Sequence, residues 1–383
     1  MGLSIQSIGE TTLILKVFFA IKSLTSSAGG AERVLCTIAS LLAVRGINIS
    51  VLTFDPPGSK PFYPLNRRVK RLNLNIGDSS RPSGFIETIL KMKVLRRTIS
   101  EAQPDIVVGF MHSMFVPLSF ALIGSKTPVL GSEHIVPQYY RRRPFQYLLL
   151  ILSALFIKKI TVLSDKIRSS YPANVKSKML VMPNPVELSF KLADVGSNKM
   201  SFTLLSVGRL EEQKDHATLI HAFAQLTEKF PQWNLKIVGD GKLYFRLKNL
   251  ISVLGLDSKV SLAGNTSKIH NEYESAEIFV IPSRYEAYGL ATAEAMAHAL
   301  PVIGFSDCPG TNELIQSGLT GLLVDPKNDR VRSLTSALSS LMADSLLRKK
   351  LGAAGLEKIN NHFSPLNICN QWQRLLRDCI CVE

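Results

Sequence analysis

Cysteine is scarce in this chain and spaced for neither disulfides nor metal. Five cysteines among 383 residues stand at 36, 308, 369, 379 and 381, an odd set with no Cys-x-x-Cys pair. That pattern argues against a disulfide framework and a structural zinc site, and it fits a reducing compartment. Asp-x-Asp, His-x-x-x-His and Gly-x-Ser-x-Gly are all missing, so the sequence offers no metal centre and no esterase elbow. Long apolar runs are missing too. The longest, Phe145 to Ile157, would span about 20 Å as a helix, short of the roughly 30 Å hydrocarbon core of a bilayer. It reads as a core helix or a helix lying on a membrane surface, not one that crosses. The run Leu13 to Ile21 is interrupted by Lys16 and follows Glu10 rather than a basic segment, unlike a signal peptide. Gln6 stands where myristoylation of Gly2 would want Ser or Thr.

Acidic residues are short in one half only. Residues 1–199 hold 26 Lys and Arg against 11 Asp and Glu, while residues 200–383 hold 19 of each, so the formal charge of +15 belongs to the first half. Such asymmetry suggests that this half faces an anion: a lipid surface, a phosphorylated substrate or a nucleic acid. Basic clusters stand at Arg67–Arg71, Lys91–Arg97 and Arg141–Arg143. Solvated faces are the ordinary explanation of each; together they favour anionic lipid, since no nucleic-acid recognition motif accompanies them.

What is present is a globular composition, 46% hydrophobic and 20% charged, in a chain long enough for two domains of roughly 150–200 residues. Short apolar runs alternate with amphipathic ones. Strands are expected at 15–21, 49–54, 106–110, 129–132 and 159–163, with helices such as 32–45 and 85–102 between them. The pattern breaks at Met182-Pro183-Asn184-Pro185 and restarts with strands at 202–207, 234–238, 260–262, 278–282, 302–305 and 322–324, an alanine-rich helix at 290–299, and two amphipathic helices after the last strand that end near 372–380. The expected fold is α/β: two Rossmann-like domains with parallel sheets facing a cleft, ligands binding at the carboxyl ends of the strands. The boundaries fall at 1–183, a linker at 184–200, a second domain at 201–362 and a closing helix at 363–383.

Three segments could carry chemistry. In Gly208-Arg209-Leu210-Glu211-Glu212-Gln213-Lys214-Asp215, Arg209 and Lys214 share a strand-to-helix loop, which suits a diphosphate; a solvated basic loop is the alternative. Glu286 and Glu294 flank the start of an alanine-rich helix. Read as one helix, eight residues rise about 12 Å, too far for a glycosidase pair and suited to gripping two ends of a long ligand such as a nucleotide sugar. Its diphosphate would lie over the amides near Gly289 and Leu290. A solvent-facing Glu294 is the alternative, an odd one among Ala293, Ala295 and Ala297. Gly29 and Gly30, in Ala28-Gly29-Gly30-Ala31-Glu32-Arg33, make a second phosphate-facing turn or an ordinary tight one. His112 and His134 close strands; His112 reads as structural.

The ordered series resembles the family 4 retaining glycosyltransferases of the GT-B fold. It comprises Gly29-Gly30-Ala31-Glu32-Arg33, Pro183-Asn184-Pro185-Val186, Gly208-Arg209-Leu210 with Lys214-Asp215, Val238-Gly239-Asp240-Gly241 and the Glu286/Glu294 pair. Leu300-Pro301-Val302 and Gly318-Leu319-Thr320-Gly321 extend it. The resemblance implies that Arg209 and Lys214 hold the donor diphosphate, Glu294 the ribose and Glu286 the transferred sugar. Gly29 and Gly30 would lie under the phosphates, Tyr288, Gly289 and Leu290 would line the donor site, and His134 would be the active-site histidine. The closing helix, near Trp372, would cross back to the first domain. Pro185 and Ala299 replace glycines usual in the family, and Ala287-Tyr288 replaces Gly-Phe or Pro-Phe. The implied activity is transfer of a sugar from a nucleotide donor, UDP-linked, to a lipid-linked or saccharide acceptor with retention, in O-antigen or other polysaccharide synthesis. No metal or other cofactor is implied. The expected partners are the donor, a polyprenyl diphosphate-linked acceptor and an anionic membrane, with no nucleic acid; the expected location is the cytoplasmic face of the plasma membrane. The rivals are another GT-B enzyme, such as a nucleotide-sugar epimerase, and a basic membrane-binding protein without activity.

Overall fold

The computed structural model of the chain describes residues 15–25, 29–77, 84–189, 191–196, 199–327 and 329–380. Gly2, Leu13, Ile14, Ala28 and Cys381 lie outside them. Two parallel sheets form, as the apolar runs predict. The first is built from β1 (Lys16–Ala20), β2 (Asn48–Thr53), β3 (Lys70–Asn73), β4 (Ile106–Phe110), β5 (Val129–Ser132), β6 (Lys159–Val162) and β7 (Met179–Val181), in the order β3-β2-β1-β4-β5-β6-β7. Helices α1 (Gly30–Val44), α2 (Phe85–Ala102), α3 (His112–Ala121), α4 (Pro144–Ser153), α5 (Asp165–Ser169) and α6 (Ala173–Lys176) supply the crossovers. All five residues of β4 are buried, as a central parallel strand covered on both faces requires. Strands β3 and β7 are additions to the expected set. Both are edges: β3 reads Lys-Arg-Leu-Asn, charged as exposed sheet edges are, and so gives no apolar run.

The second sheet contains β8 (Phe202–Val207), β9 (Trp233–Val238), β10 (Val260–Leu262), β11 (Ile278–Ile281), β12 (Val302–Phe305) and β13 (Leu322–Val324), ordered β10-β9-β8-β11-β12-β13. Its helices are α7 (His216–Ala224), α8 (Tyr244–Val253), α9 (Ile269–Glu274), α10 (Leu290–Ala297) and α11 (Thr311–Leu314). Three helices follow rather than the two expected: α12 (Arg330–Ala343), α13 (Ser345–His362) and α14 (Pro365–Ile380). Asp344 divides α12 from α13 by capping the latter, its side chain accepting from Leu347 N at 2.9 Å. One core joins Leu219, Phe223, Trp233, Leu235, Ile278, Ile303, Leu334 and Leu338 around this sheet.

The chain divides into two compact units. One runs to Ser132 and adds Leu152–Lys159 and the chain from Gln373; the other holds Glu133–Ile151 and Ile160–Trp372. Within the first, the end of α14 is held where Arg45 donates to Gln373 at 2.8 Å and Lys158 donates to the Cys379 carbonyl. Within the second, the described residues between Met182 and Ser201 form neither helix nor strand. This stretch is nevertheless pinned. Val186 N donates to Phe363 O and Ala193 N to His298 O, both at 2.9 Å. Buried Arg348 donates to Val195 O at 2.8 Å while its guanidinium lies over Phe202 and Trp233.

Ala299 adopts φ 59°, a left-handed conformation suited to the glycine it replaces. Its carbonyl packs on Gly352, where an added Cβ would stand 2.0 Å from that oxygen. Ala299→Gly should therefore raise stability by about 0.5–1 kcal/mol, the relief of left-handed strain less the entropy glycine gains when unfolded. Gly352→Ala should cost more than about 2 kcal/mol. Thermal or urea unfolding of the two variants should give shifts of opposite sign.

Candidate active site

The order of the second sheet reverses at β8 and β11, which are neighbours although β9 and β10 lie between them in sequence. The loops that leave their carboxyl ends run in opposite directions, which opens a crevice there. Lys214 stands on the first of these loops and Glu286 on the second, with Glu294 on the helix that follows. After β8, residues 208–211 lead into a single tight turn, Glu212–Lys214, and Asp215 with φ 49° starts α7. After β11, residues 282–289 are non-helical, and Gly289 with φ 83° starts α10.

Lys214 Nζ lies 2.6 Å from Glu286 Oε1, both side chains nearly buried. The same oxygen accepts from Ser283 Oγ at 2.6 Å. A second layer of charge backs the pair: Asp215 binds Arg284 at 3.0 Å, and Arg330 reaches Asp307 at 2.9 Å and Asp215 at 3.5 Å. Arg330 also donates to Pro282 O at 3.2 Å and stacks on Phe305. Arg209, expected to share an anion with Lys214, sits at the rim of this loop. It is 67% exposed and paired with Glu211 at 3.2 Å.

The glycines of this region serve close packing. A Cβ on Gly239 would stand 2.1 Å from Gly208 O, one on Gly241 2.6 Å from Leu210 O, and one on Gly310 2.7 Å from Glu286 O. The Val238–Gly241 motif thus lets one loop lie directly on another and fixes where Lys214 stands. Cys308 is buried beneath the second loop, its thiol pushed up to about 12 by desolvation first, and so is inert.

The helix starts where the sequence places it, after Glu286, but the expected rise of eight helical residues between Glu286 and Glu294 is corrected. Helix α10 begins only at Leu290, so Glu286 stands on a loop that turns back to Lys214, and Glu294 lies one turn inside the helix. Glu294 is half-buried rather than on a solvent face. Its Oε2 accepts from Tyr273 Oη at 2.8 Å, and its carbonyl meets His298 Nδ1 at 2.7 Å. Gly289 caps α10 with no side-chain acceptor, so the first amides of an eight-residue helix carry its positive end. Tyr288 is buried, its hydroxyl donating to Asn184 O at 3.3 Å; its side chain is committed to packing.

His134 follows β5. It is half-buried, and desolvation lowers its pKa to about 4, so it is neutral. Neighbouring Glu133 is buried with its pKa raised to about 7, for the same first reason; it accepts from Tyr140 at 2.7 Å and from Ile135 N at 3.0 Å. His112 opens α3. Gly29 and Gly30 form the turn into α1, after β1 and beside the corresponding reversal at β1 and β4. Here the chain supplies its own anion: Glu32 folds back so that its Oε2 lies 2.1 Å from where a Gly29 Cβ would be.

Residues 28–190 match the model described as Glycosyltransferase Family 4, and residues 190–358 the model described as Glycosyl transferases group 1. The chain belongs to the family 4 glycosyltransferases. An alpha-1,4-N-acetyl-D-galactosaminyltransferase of Campylobacter jejuni, named for a diNAcBac-PP-undecaprenol-linked saccharide, is 26% identical over 367 residues, 95% of this chain and 99% of its own. Two solved structures share the architecture. Sucrose-phosphate synthase from Thermosynechococcus elongatus has a TM-score of 0.83 at 19% identity, covering 95% of this chain and 98% of its own. Anabaena HepE in complex with UDP and glucose has a TM-score of 0.75 at 18% identity, covering 95% and 100%. The two parallel-sheet α/β domains of this glycosyltransferase are those of the GT-B fold.

Sequence reasoning missed Tyr273, Ser283, His298 and Arg330. Tyr273 and Arg330 have partners far along the chain, while Ser283 and His298 meet Glu286 and the Glu294 carbonyl three and four residues away, a spacing too common to mark them.

His216 is buried and His134 half-buried, and desolvation lowers the pKa of each to about 4. The unfolded chain takes up protons below about 6.5 that the folded glycosyltransferase refuses, so their contribution is lost as pH falls from there to about 4. Glu133, with its raised pKa, acts oppositely between its two values but is one group against two. Stability should fall by on the order of 2–3 kcal/mol per histidine by pH 4. His216→Gln should make the slope of the unfolding midpoint against pH shallower.

Proposed function

We propose that this enzyme moves a sugar from a UDP-linked donor to a polyprenyl diphosphate-linked saccharide acceptor, retaining the anomeric configuration, in bacterial polysaccharide assembly. One observation carries the reading: Lys214, Glu286, the capless start of α10 and Glu294 gather on the two loops and helix that leave β8 and β11. The Campylobacter relative, with its undecaprenol-linked acceptor, and HepE, which holds UDP and glucose, support the substrate classes.

The donor diphosphate meets the ammonium of Lys214 and the first amides of α10. There positive charge is fixed before the bond breaks and grows more effective as the leaving diphosphate gains charge. Exposed Arg209 adds a fork from the solvent side, and no metal is required in this scheme. Lys214 has three protons, so it can keep Glu286 while donating to phosphate. Glu286 in turn accepts hydroxyls of the transferred sugar, and Glu294 accepts those of the ribose. His134, neutral at working pH, is the active-site histidine, available as an acceptor or donor to the sugar.

Attachment to a membrane is proposed on different grounds from a uniformly basic helix. Lys91 is buried against Glu87 at 2.6 Å and beneath Phe54, and Arg96 donates to Ala121 and Ile123 carbonyls at 2.8 and 2.9 Å. The exposed face of α2 instead begins with Phe85 and Ile86, 81% and 84% exposed, and continues through Ile89, Leu90, Lys93 and Arg97. Helix α4 shows Phe145 and Leu148 behind exposed Arg141–Arg143. Apolar residues followed by cations suit shallow insertion among anionic headgroups. Among the described residues no helix is long and apolar enough to cross a membrane.

Glu286→Gln should lose turnover by more than about 100-fold while UDP affinity is kept or slightly gained, since Lys214 loses a competing anion. Glu294→Gln should weaken UDP by about 1–3 kcal/mol. Calorimetry with UDP and a radiolabelled transfer assay separate the two, and equal losses of UDP affinity would refute the assignment. His134→Ala should lower turnover far more than it lowers the unfolding midpoint. Transfer should persist in EDTA, and NMR should find the donor's anomer in the product. The protein should sediment with anionic but not neutral vesicles, and Phe85→Ser with Ile86→Ser should weaken this at least tenfold without changing UDP affinity.

A further inference from the structure

Tyr273 is the one buried residue of α9, and it is fully buried. Its ring packs 5.9 Å from Phe279 and 5.0 Å from His298, between centroids. Phenylalanine would fill that space as well. The hydroxyl is a polar group taken out of water, tolerable only with a partner, and its partner is Glu294 Oε2 at 2.8 Å. The same short helix reaches residue 294 a second way. His270 Nδ1 lies 3.1 Å from His298 Nε2, and His298 Nδ1 lies 2.7 Å from the Glu294 carbonyl. Since a carbonyl only accepts, His298 carries its proton on Nδ1, and His270 donates to the remaining nitrogen. Side chain and backbone of residue 294 are thus both tied to α9.

We propose that Tyr273 is a positioning residue for Glu294: by holding Oε2 it fixes the plane of the carboxylate and the direction in which it meets the ribose hydroxyls of the donor. The inference rests on the donor role proposed for Glu294. Without the tyrosine the carboxylate loses the donor that holds Oε2, and more of its ordering falls to the moment a nucleotide binds.

The test uses the full chain as wild type, Tyr273→Phe, Glu294→Gln and the double variant. Calorimetry measures Kd for whichever of UDP and GDP the wild type binds more tightly, and for its 2′,3′-dideoxy analogue. Tyr273→Phe should raise the nucleotide Kd about five- to tenfold and shrink the discrimination against the dideoxy analogue. The double variant should be no worse than Glu294→Gln alone. In turnover, Tyr273→Phe should raise the donor KM and leave kcat within about twofold. Unliganded unfolding midpoints guard against a folding defect, and Tyr273→His offers a second polar side chain for partial rescue. If Glu294→Gln weakens the nucleotide but Tyr273→Phe changes Kd and dideoxy discrimination less than twofold, Tyr273 is packing alone and the inference fails. Additive losses in the double variant overturn it too. If Glu294→Gln itself leaves affinity and discrimination unchanged, the donor role of Glu294 falls and the inference with it.

Discussion

The Lys214–Glu286 ion pair, 2.6 Å long and nearly buried, ties the loop after β8 to the loop after β11. Those strands are adjacent in the sheet but separated by two others in sequence, so a contact between their loops spans the point where the fold opens. Taking two charges out of water costs several kcal/mol each, and mutual attraction seldom returns much more than that. The pair is therefore poor evidence of stability and better evidence of use. An ammonium held at a defined place, with protons to spare, is what the diphosphate of the proposed donor would need, and in that reading Glu286 keeps it in place before the ligand arrives. The surrounding glycines, Ser283 and the Asp215–Arg330 layer make sense as the means of holding that one pair in register.

The first sheet meets the same topological condition with a different solution. Its own reversal lies between β1 and β4. The start of α1 is met by the carboxylate of Glu32, three residues on in the same turn. Burial raises the pKa of that carboxyl, and a bond to its own backbone amide acts the other way. A helix start already occupied by an internal acid has to be vacated before another anion uses it, so the two reversals are not equivalent even though the sequence presents both as glycine-rich turns before helices.

Most strands were legible because parallel strands buried on both faces must be apolar, and Ile106–Phe110 or Val302–Phe305 can be little else. The edges were not legible: Lys70–Asn73 is charged because it is an edge. Helix ends after residue 325 failed for a related reason. Asp344 is one capping residue in a run of otherwise continuous helical character, and without its contact to Leu347 the segment reads as one helix. In the site, Lys214, Glu286 and Glu294 were visible through spacing, but their relation was not, because the loop before α10 turns Glu286 back to Lys214, a contact no spacing encodes. Tyr273 and Arg330 could not be found at all; each looks like core or surface until its partner in another element is known.

Charge counting misled in an instructive way. The excess of positive charge in the first half is real, yet Lys91 is buried with Glu87, Arg71 donates to the Ser59 carbonyl and Arg96 to two more. Cations spent on carbonyls and internal acids do not project a field as free ones do. What distinguishes the outer face of α2 is the apolar character of its first two turns, which a tally of lysines and arginines overlooks. The same holds at the proposed donor site: Arg209 has the charge expected of a phosphate ligand but lies exposed beside Glu211, while Lys214, less conspicuous in sequence, is enclosed with Glu286. Function in this chain follows from which charges are held in place, and the holding is done by residues with no charge signature of their own.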